Sequence, residues 1–442
     1  MGNGKGKQPL KNKNDNSSPI LNKDNKSDLE WDPLRSIADD PDEVLRKTDE
    51  RLDNLEKEYF NDEKDKSDNI ENIFGLHGLT RRDFIKWTSL LTSTLMLPYI
   101  FKPRVARAAN ILTRTPLIWL EMSDCMGNTE AFLRTAHPTP AEIILSYVSV
   151  NYMESIMAPA GYQAEARMVE TVKKYKGKYI LIVEGAIPMG LNGKYLTIGA
   201  KGESGLKITK EVSKNAGVII AAGNCASYGG IPAANPNPTS AVGLSSVTDR
   251  QVINIPACPV NAVNLVGTLI EYVLIGKPPQ LDSIGRPLWA YSERLHDTCY
   301  RRAHFEAGEY VKNWGDDGAK KQYCLYMMGC KGPFTWNNCT VVEYNQDLSF
   351  PMRAGHGCIG CSQPAFWDRM TPFEEPNESA KITLPLVEAT ADEFGAALFG
   401  AAGAGIAAHA IYTGVKKKRE KKKMSKDKKD NSEKDKSKDD KE

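Results

Sequence analysis

Nine cysteines carry most of the chemical information in this 442-residue chain, and six of them fall between His296 and Cys361. The stretch runs His296-x-x-Cys299, Cys324, Cys330, Cys339, Cys358, Cys361. Soft thiolates at this density, with one imidazole among them, suit iron-sulfur clusters or zinc. His296, Cys299, Cys324 and Cys330 make a four-ligand set. Cys339, Cys358 and Cys361 make a three-ligand set, with Pro351 standing between its members. Structural zinc normally closes with four ligands, so the smaller set favours a 3Fe-4S cluster. Disulfides are the alternative for an exported chain, but they fit an odd cysteine count and an interleaved histidine poorly.

The other three cysteines each follow an apolar run: Trp119-Leu-Glu-Met-Ser-Asp-Cys125, Ile219-Ile-Ala-Ala-Gly-Asn-Cys225 and Ile253-Asn-Ile-Pro-Ala-Cys258. Apolar runs alternate here with helical stretches, which predicts a parallel α/β layer. The expected strands are 116–122, 179–183, 217–222 and 252–255. The expected helices are 141–157, 165–175 and 262–275. Carboxyl ends of parallel strands share one edge, and that edge holds the binding crevice. Three thiols therefore converge there, beside Gly127, Gly223, Gly229, Gly230, Pro256 and Pro259, where backbone amides can approach an anionic group. Buried structural cysteines are the alternative. Taken together, the nine cysteines read as three clusters in a chain, an arrangement that would conduct electrons.

The flanks differ in character. Formal net charge is only +2, which argues neither for nor against nucleic acid, and no nucleic-acid partner is expected. Residues 1–76 are polar and charged and read as a disordered extension, apart from Leu45, Leu52, Leu55 and Tyr59 at helical spacing. Residues 77–108 read as a twin-arginine export signal: Arg81-Arg82, an apolar run from Trp87 to Phe101, and Ala106-Arg107-Ala108. An uncleaved membrane helix is the alternative. Phe394 to Val415 is an uncharged run of 22 residues, long enough to span a bilayer. Seven of the next eight residues are basic, which places that end in the cytoplasm. His409 lies within the run and is a candidate haem contact. A charged tail, expected to be disordered, fills 416–442.

These residues resemble the small, electron-transferring subunit of the membrane-bound nickel-iron uptake hydrogenases. The resemblance rests on Trp119–Cys125, Val183-Glu-Gly-Ala-Ile-Pro188, His296-Asp-Thr-Cys299, His304-Phe-Glu-Ala-Gly308, Gly329-Cys-Lys-Gly-Pro333, Asn337-Asn-Cys339 and Gly355-His-Gly-Cys-Ile-Gly-Cys361. It implies a flavodoxin-like domain over 109–290 with a proximal cluster on Cys125, Cys225 and Cys258. An irregular cluster domain over 291–375 would follow, and a transmembrane helix over 394–415. The distal 4Fe-4S site is implied at His296, Cys299, Cys324 and Cys330, and the medial 3Fe-4S site at Cys339, Cys358 and Cys361. His137, His304 and His356 match the family's strings without a ligand role, and Glu121 and Glu130 lie near the proximal site.

The implied partners are a large subunit holding the nickel-iron centre, a membrane cytochrome b with haem b, and a higher oligomer of the heterodimer. The implied location is the cytoplasmic membrane, with the cluster domains on the periplasmic side. Two other readings are an iron-sulfur subunit of a different membrane dehydrogenase and a disulfide-stapled envelope protein. One position departs from the family, since its usual Cys-x-x-Cys is here Cys125-Met-Gly-Asn128. Asn128, a water or another group completes a 4Fe-4S cluster, or the site holds a 3Fe-4S cluster.

Overall fold

The computed structural model describes residues 40–60, 81–112, 115–134, 150–345, 348–377, 381–384 and 387–439. The chain divides into two units, one ending at Pro376 and one beginning at Asn377. In the first, strands β1 (Leu117–Glu121), β2 (Val150–Met153), β3 (Ile180–Glu184), β4 (Val218–Ala222) and β5 (Ile253–Ile255) form one parallel sheet in the order β2-β1-β3-β4-β5. Every residue of β1, β3 and β4 is buried, as expected of strands covered on both faces. The side-chain period of two divides the core. Leu117, Trp119, Ile180 and Ile182 pack on the side of helix α8 (Ala262–Ile275). Ile118, Leu120, Leu181 and Val183 pack on the side of α5 (Gly161–Lys174) and α6 (Gly205–Ser213).

The four expected strands form with boundaries shifted by a residue or two. Helix α8 forms as expected, because Asn261 accepts hydrogen bonds from Val263 N and Asn264 N at its start and Gly276, at φ +79°, ends it. The helix expected over 141–157 is corrected at Val150–Met153, which is the sheet's edge strand; 141–149 lie outside the described residues. Pairing with β1 overrides local helical spacing there, and Tyr152 and Met153 are buried by it.

The amino-terminal flank corrects the disorder expected over 1–76 in one stretch. Helix α1 (Pro41–Tyr59) forms where Leu45, Leu52, Leu55 and Tyr59 recur at helical spacing. Asp40 caps it and Pro41 opens it. Its apolar stripe buries Val44 and Leu52 beside α3 (Lys102–Leu112) and α8, in the core that also takes Leu91 and Leu95 of α2 (Arg81–Thr94). Arg107 pairs with Asp49, Asp53 and Glu56, and Arg104 with Asp49. Ala108 and Ala109 are fully buried. Leu52→Ala is expected to cost roughly 2–5 kcal/mol of docking stability. Limited trypsin digestion of the full-length chain would show this as faster cleavage between α1 and α3, and an unchanged digestion rate would contradict it.

In the second unit, strands Lys381–Leu384 and Val387–Thr390 pair antiparallel ahead of the apolar run. Helix α9 (Ala391–Asp439) follows, and Ala397–Lys426 within it is long and apolar enough to cross a membrane. The tail expected to be disordered continues this helix. It is rich in Lys, a good helix former, and has no Pro or Gly after Gly414 to stop it.

Candidate metal centres

Cys125 follows β1 and precedes the short helix α4 (Gly127–Leu133), Cys225 sits in the short helix α7 (Gly223–Tyr228) after β4, and Cys258 follows β5. The carboxyl edge of the sheet thus gathers the three thiols that the sequence assigned to it. Burial pushes the Cys225 thiol up to about 12, with Cys258 and Cys125 adding to the effect. Cys125 and Cys258 are exposed along that edge, and partial desolvation and then Cys125 raise the Cys258 thiol. The backbone comes close to the sulfurs: a Cβ on Gly230 would lie 2.3 Å from Cys225 Sγ, and one on Gly127 would lie 3.1 Å from Cys125 Sγ.

The other two sets lie in the irregular part of the unit. His296, Cys299, Cys324 and Cys330 line one small pocket with Arg301, Arg302 and Gly332. Burial and then Arg302 hold His296 below its usual range, which keeps the imidazole neutral as a metal ligand must be. Phe305 stands edge-on against the His296 ring, with ring centroids 4.6 Å apart. Cys339, Cys358 and Cys361 line a larger cavity of about 470 Å³ with Thr335, Pro351 and Cys258. Burial pushes Cys324 and Cys361 up to about 11 and raises Cys339 and Cys358 further. Thiols this high stay protonated at neutral pH unless a metal displaces the proton.

The three sets adjoin one another. Cys258 lines the same cavity as Cys339, Cys358 and Cys361, and Cys358 N donates to Cys330 Sγ at 3.3 Å. Gly357 makes the second contact sterically feasible, since a Cβ there would meet Cys330 Cα at 2.9 Å. Gly360 N also donates to Cys358 Sγ at 3.3 Å. Asparagines tie this part to the sheet: Asn224 Nδ2 donates to Cys361 O at 2.7 Å and Gln363 O at 3.0 Å, and Asn264 and Asn338 exchange amide hydrogen bonds.

All nine cysteines are free thiols. Among the described residues, no three His, Cys, Asp or Glu side chains close on a point as they would around a single ion. Thiols ringing a cavity of this volume instead fit a polynuclear group, whose ligands must stand further apart. His304 and His356 lie outside these sets, paired with Glu309 and Glu374; His137 lies outside the described residues. Glu130 pairs with Arg134 at the surface, and Glu121 accepts from Ser155.

Glu184 was not singled out from the sequence, although it is fully buried at the end of β3. It accepts from Asn128 N (2.9 Å), Asn128 Nδ2 (3.1 Å), Thr129 N (3.2 Å), Thr129 Oγ1 (2.7 Å) and Trp119 Nε1 (3.3 Å). Its signal in the sequence is a lone carboxylate closing an otherwise apolar run from Tyr179.

Two family models match the chain: the C-terminal region of the NiFe/NiFeSe hydrogenase small subunit over residues 291–374, and the NADH ubiquinone oxidoreductase 20 Kd subunit over 125–272. The chain is 48% identical over 325 residues to the quinone-reactive Ni/Fe-hydrogenase small chain of Wolinella succinogenes, covering 73% of this chain and 92% of that protein. It is 45% identical over 324 residues to the uptake hydrogenase small subunit of Azotobacter vinelandii, covering 73% and 88%. Among solved structures, the reduced, active Ni-Fe-Se hydrogenase from Desulfomicrobium baculatum aligns with a TM-score of 0.56 at 30% identity, over 60% of this chain and 99% of that one.

Proposed function

Because this chain belongs to the family of nickel-iron uptake hydrogenase small subunits, whose catalytic site lies on the large subunit, we propose that it conducts electrons from hydrogen oxidation to the membrane. Iron-sulfur clusters bound here would each accept and release one electron at a time. Cys125, Cys225 and Cys258 would hold the proximal cluster, Cys339, Cys358 and Cys361 the medial 3Fe-4S cluster, and His296, Cys299, Cys324 and Cys330 the distal 4Fe-4S cluster.

The observation that carries this reading is a pair of links: the cavity that Cys258 shares with Cys339, Cys358 and Cys361, and the hydrogen bond from Cys358 N to Cys330 Sγ. They join the three thiol sets end to end in the order a relay requires. The free state of all nine thiols counts against the disulfide-stapled alternative. Chain residues supply the rest of the mechanism. Burial of Cys324, Cys330, Cys339 and Cys358 keeps water from their sulfurs, and N–H donors such as Gly360 N stabilise anionic thiolate.

The Wolinella relative is named quinone-reactive, and the apolar helix α9 followed by basic residues supports a membrane anchor with its tail in the cytoplasm. We place the cluster domains on the periplasmic side, after export directed by Arg81 and Arg82. His409 would face the haem of a cytochrome b partner. His409→Ala is expected to leave iron content and hydrogen-driven dye reduction intact while abolishing quinone reduction in membranes; equal loss of both activities would refute the assignment. The test of the whole reading is iron and acid-labile sulfide analysis of the anaerobically purified membrane complex, with paramagnetic resonance through a redox titration. Signals from three clusters are expected, and iron-free protein would sink the proposal.

A further inference from the structure

Position 128 is where the family's proximal motif places a cysteine and this chain places asparagine, and the geometry around it separates the alternatives that the sequence left open. The Asn128 side chain is almost completely buried and both ends of its amide are engaged. Oδ1 accepts from Val260 N at 2.7 Å, and Nδ2 donates to Glu184 Oε1 at 3.1 Å. The O/N end of its carboxamide lies against Gly223, where a Cβ would meet Oδ1 at 2.3 Å and Nδ2 at 2.6 Å. Gly223 has φ +83° and begins the helix that carries Cys225.

These contacts place one carboxamide at the junction of all three thiol-bearing segments. Asn128 belongs to the segment of Cys125, Gly223 to that of Cys225, and Val260 to that of Cys258. Glu184 holds the junction from β3 and also takes the Asn128 and Thr129 amides. Turning the side chain toward a metal would strand Val260 N–H and part of the Glu184 carboxylate in a buried site, and unsatisfied buried groups are strongly disfavoured.

Resting on the relay proposed above, we infer that the proximal group is bound by three thiolates alone, and that Asn128 is a positioning residue that fixes the spacing of Cys125, Cys225 and Cys258 by hydrogen bonding. A covalent ligand of the family has been exchanged here for an amide clamp. Three thiolates leave no protein ligand for a fourth iron, and this change of cluster type raises the midpoint potential relative to a four-thiolate site.

The test compares the anaerobically purified heterodimer as wild type, Asn128→Ala and Asn128→Cys, by iron content and by the resonance signature and midpoint potential of the proximal signal. Asn128→Ala is expected to keep the cluster type and g-values, with broadened lines as the thiolate spacing relaxes. Asn128→Cys is expected to raise the iron content and shift the potential downward. A changed cluster type in Asn128→Ala, or a wild-type potential equal to that of Asn128→Cys, overturns the inference. Should Asn128→Ala fail to accumulate, an electron cryomicroscopy map of the wild-type heterodimer decides: the amide on Val260 N supports the clamp, and the amide on iron refutes it. Protein without any iron would instead refute the relay.

Discussion

Glu184→Ala is expected to abolish accumulation of the folded subunit, and Glu184→Gln to lower its melting temperature sharply. The side chain is fully buried and five donors converge on it, four of them from Asn128 and Thr129 at the start of the helix after Cys125. Removing an acceptor strands each donor at about 1–3 kcal/mol. Five such losses are comparable with the entire ~5–15 kcal/mol of a typical domain. Gln retains one oxygen and so should fall between wild type and Ala. Thermal melting followed by circular dichroism, alongside the yield of heterodimer, checks the order. A Glu184→Ala subunit that melts like wild type would show that the donors find other partners.

Gly357→Ala is the second large effect expected, and it acts on conduction. The added Cβ would lie 2.9 Å from Cys330 Cα, 3.0 Å from its Cβ and 3.1 Å from its N. These atoms belong to rigid backbone, flanked by the Lys331 N to Cys358 O hydrogen bond at 2.7 Å. The two segments must separate, at an overpacking cost of roughly 1–3 kcal/mol, and the Cys358 N to Cys330 Sγ contact is lost with them. The expected outcome is unchanged iron content and slowed arrival of electrons at the His296, Cys299, Cys324 and Cys330 centre after a pulse of hydrogen. Rapid-freeze resonance spectroscopy measures this arrival. A wild-type rate would remove the contact from the path.

Much of this arrangement was legible in the residues. The buried strands appear as unbroken apolar runs, and the rule that parallel strands share a carboxyl edge places Cys125, Cys225 and Cys258 together before any coordinates are known. Spacing alone divides the other six cysteines in the same way as the two pockets they line. What the sequence hid depends on tertiary partners. Val150–Met153 becomes a strand only because β1 offers an edge. Helix α1 is too polar to be read as a core element, yet Arg104 and Arg107 offset its acidic face while Leu52 enters the core. Glu184 looks like a charged strand end until its donors arrive from a segment 55 or 56 residues earlier. Asn128 looks like a missing ligand until Val260 and Gly223 are seen against it.

The buried Ala108–Ala109 pair sets a condition on the export we propose, in which this bond would be cut. A peptidase acts on an accessible, extended segment, whereas this bond lies in the middle of α3, fully covered, with Arg107 beside it held by acids of α1. Cutting at that bond must therefore wait until α1 lets go and α3 unwinds. After the cut, the severed helices could rejoin the core only as a separate chain, so the surface they had covered on α8 would need new cover. Under that proposal the removal would be a one-way step, timed by release of the amino-terminal helices from the domain they cover.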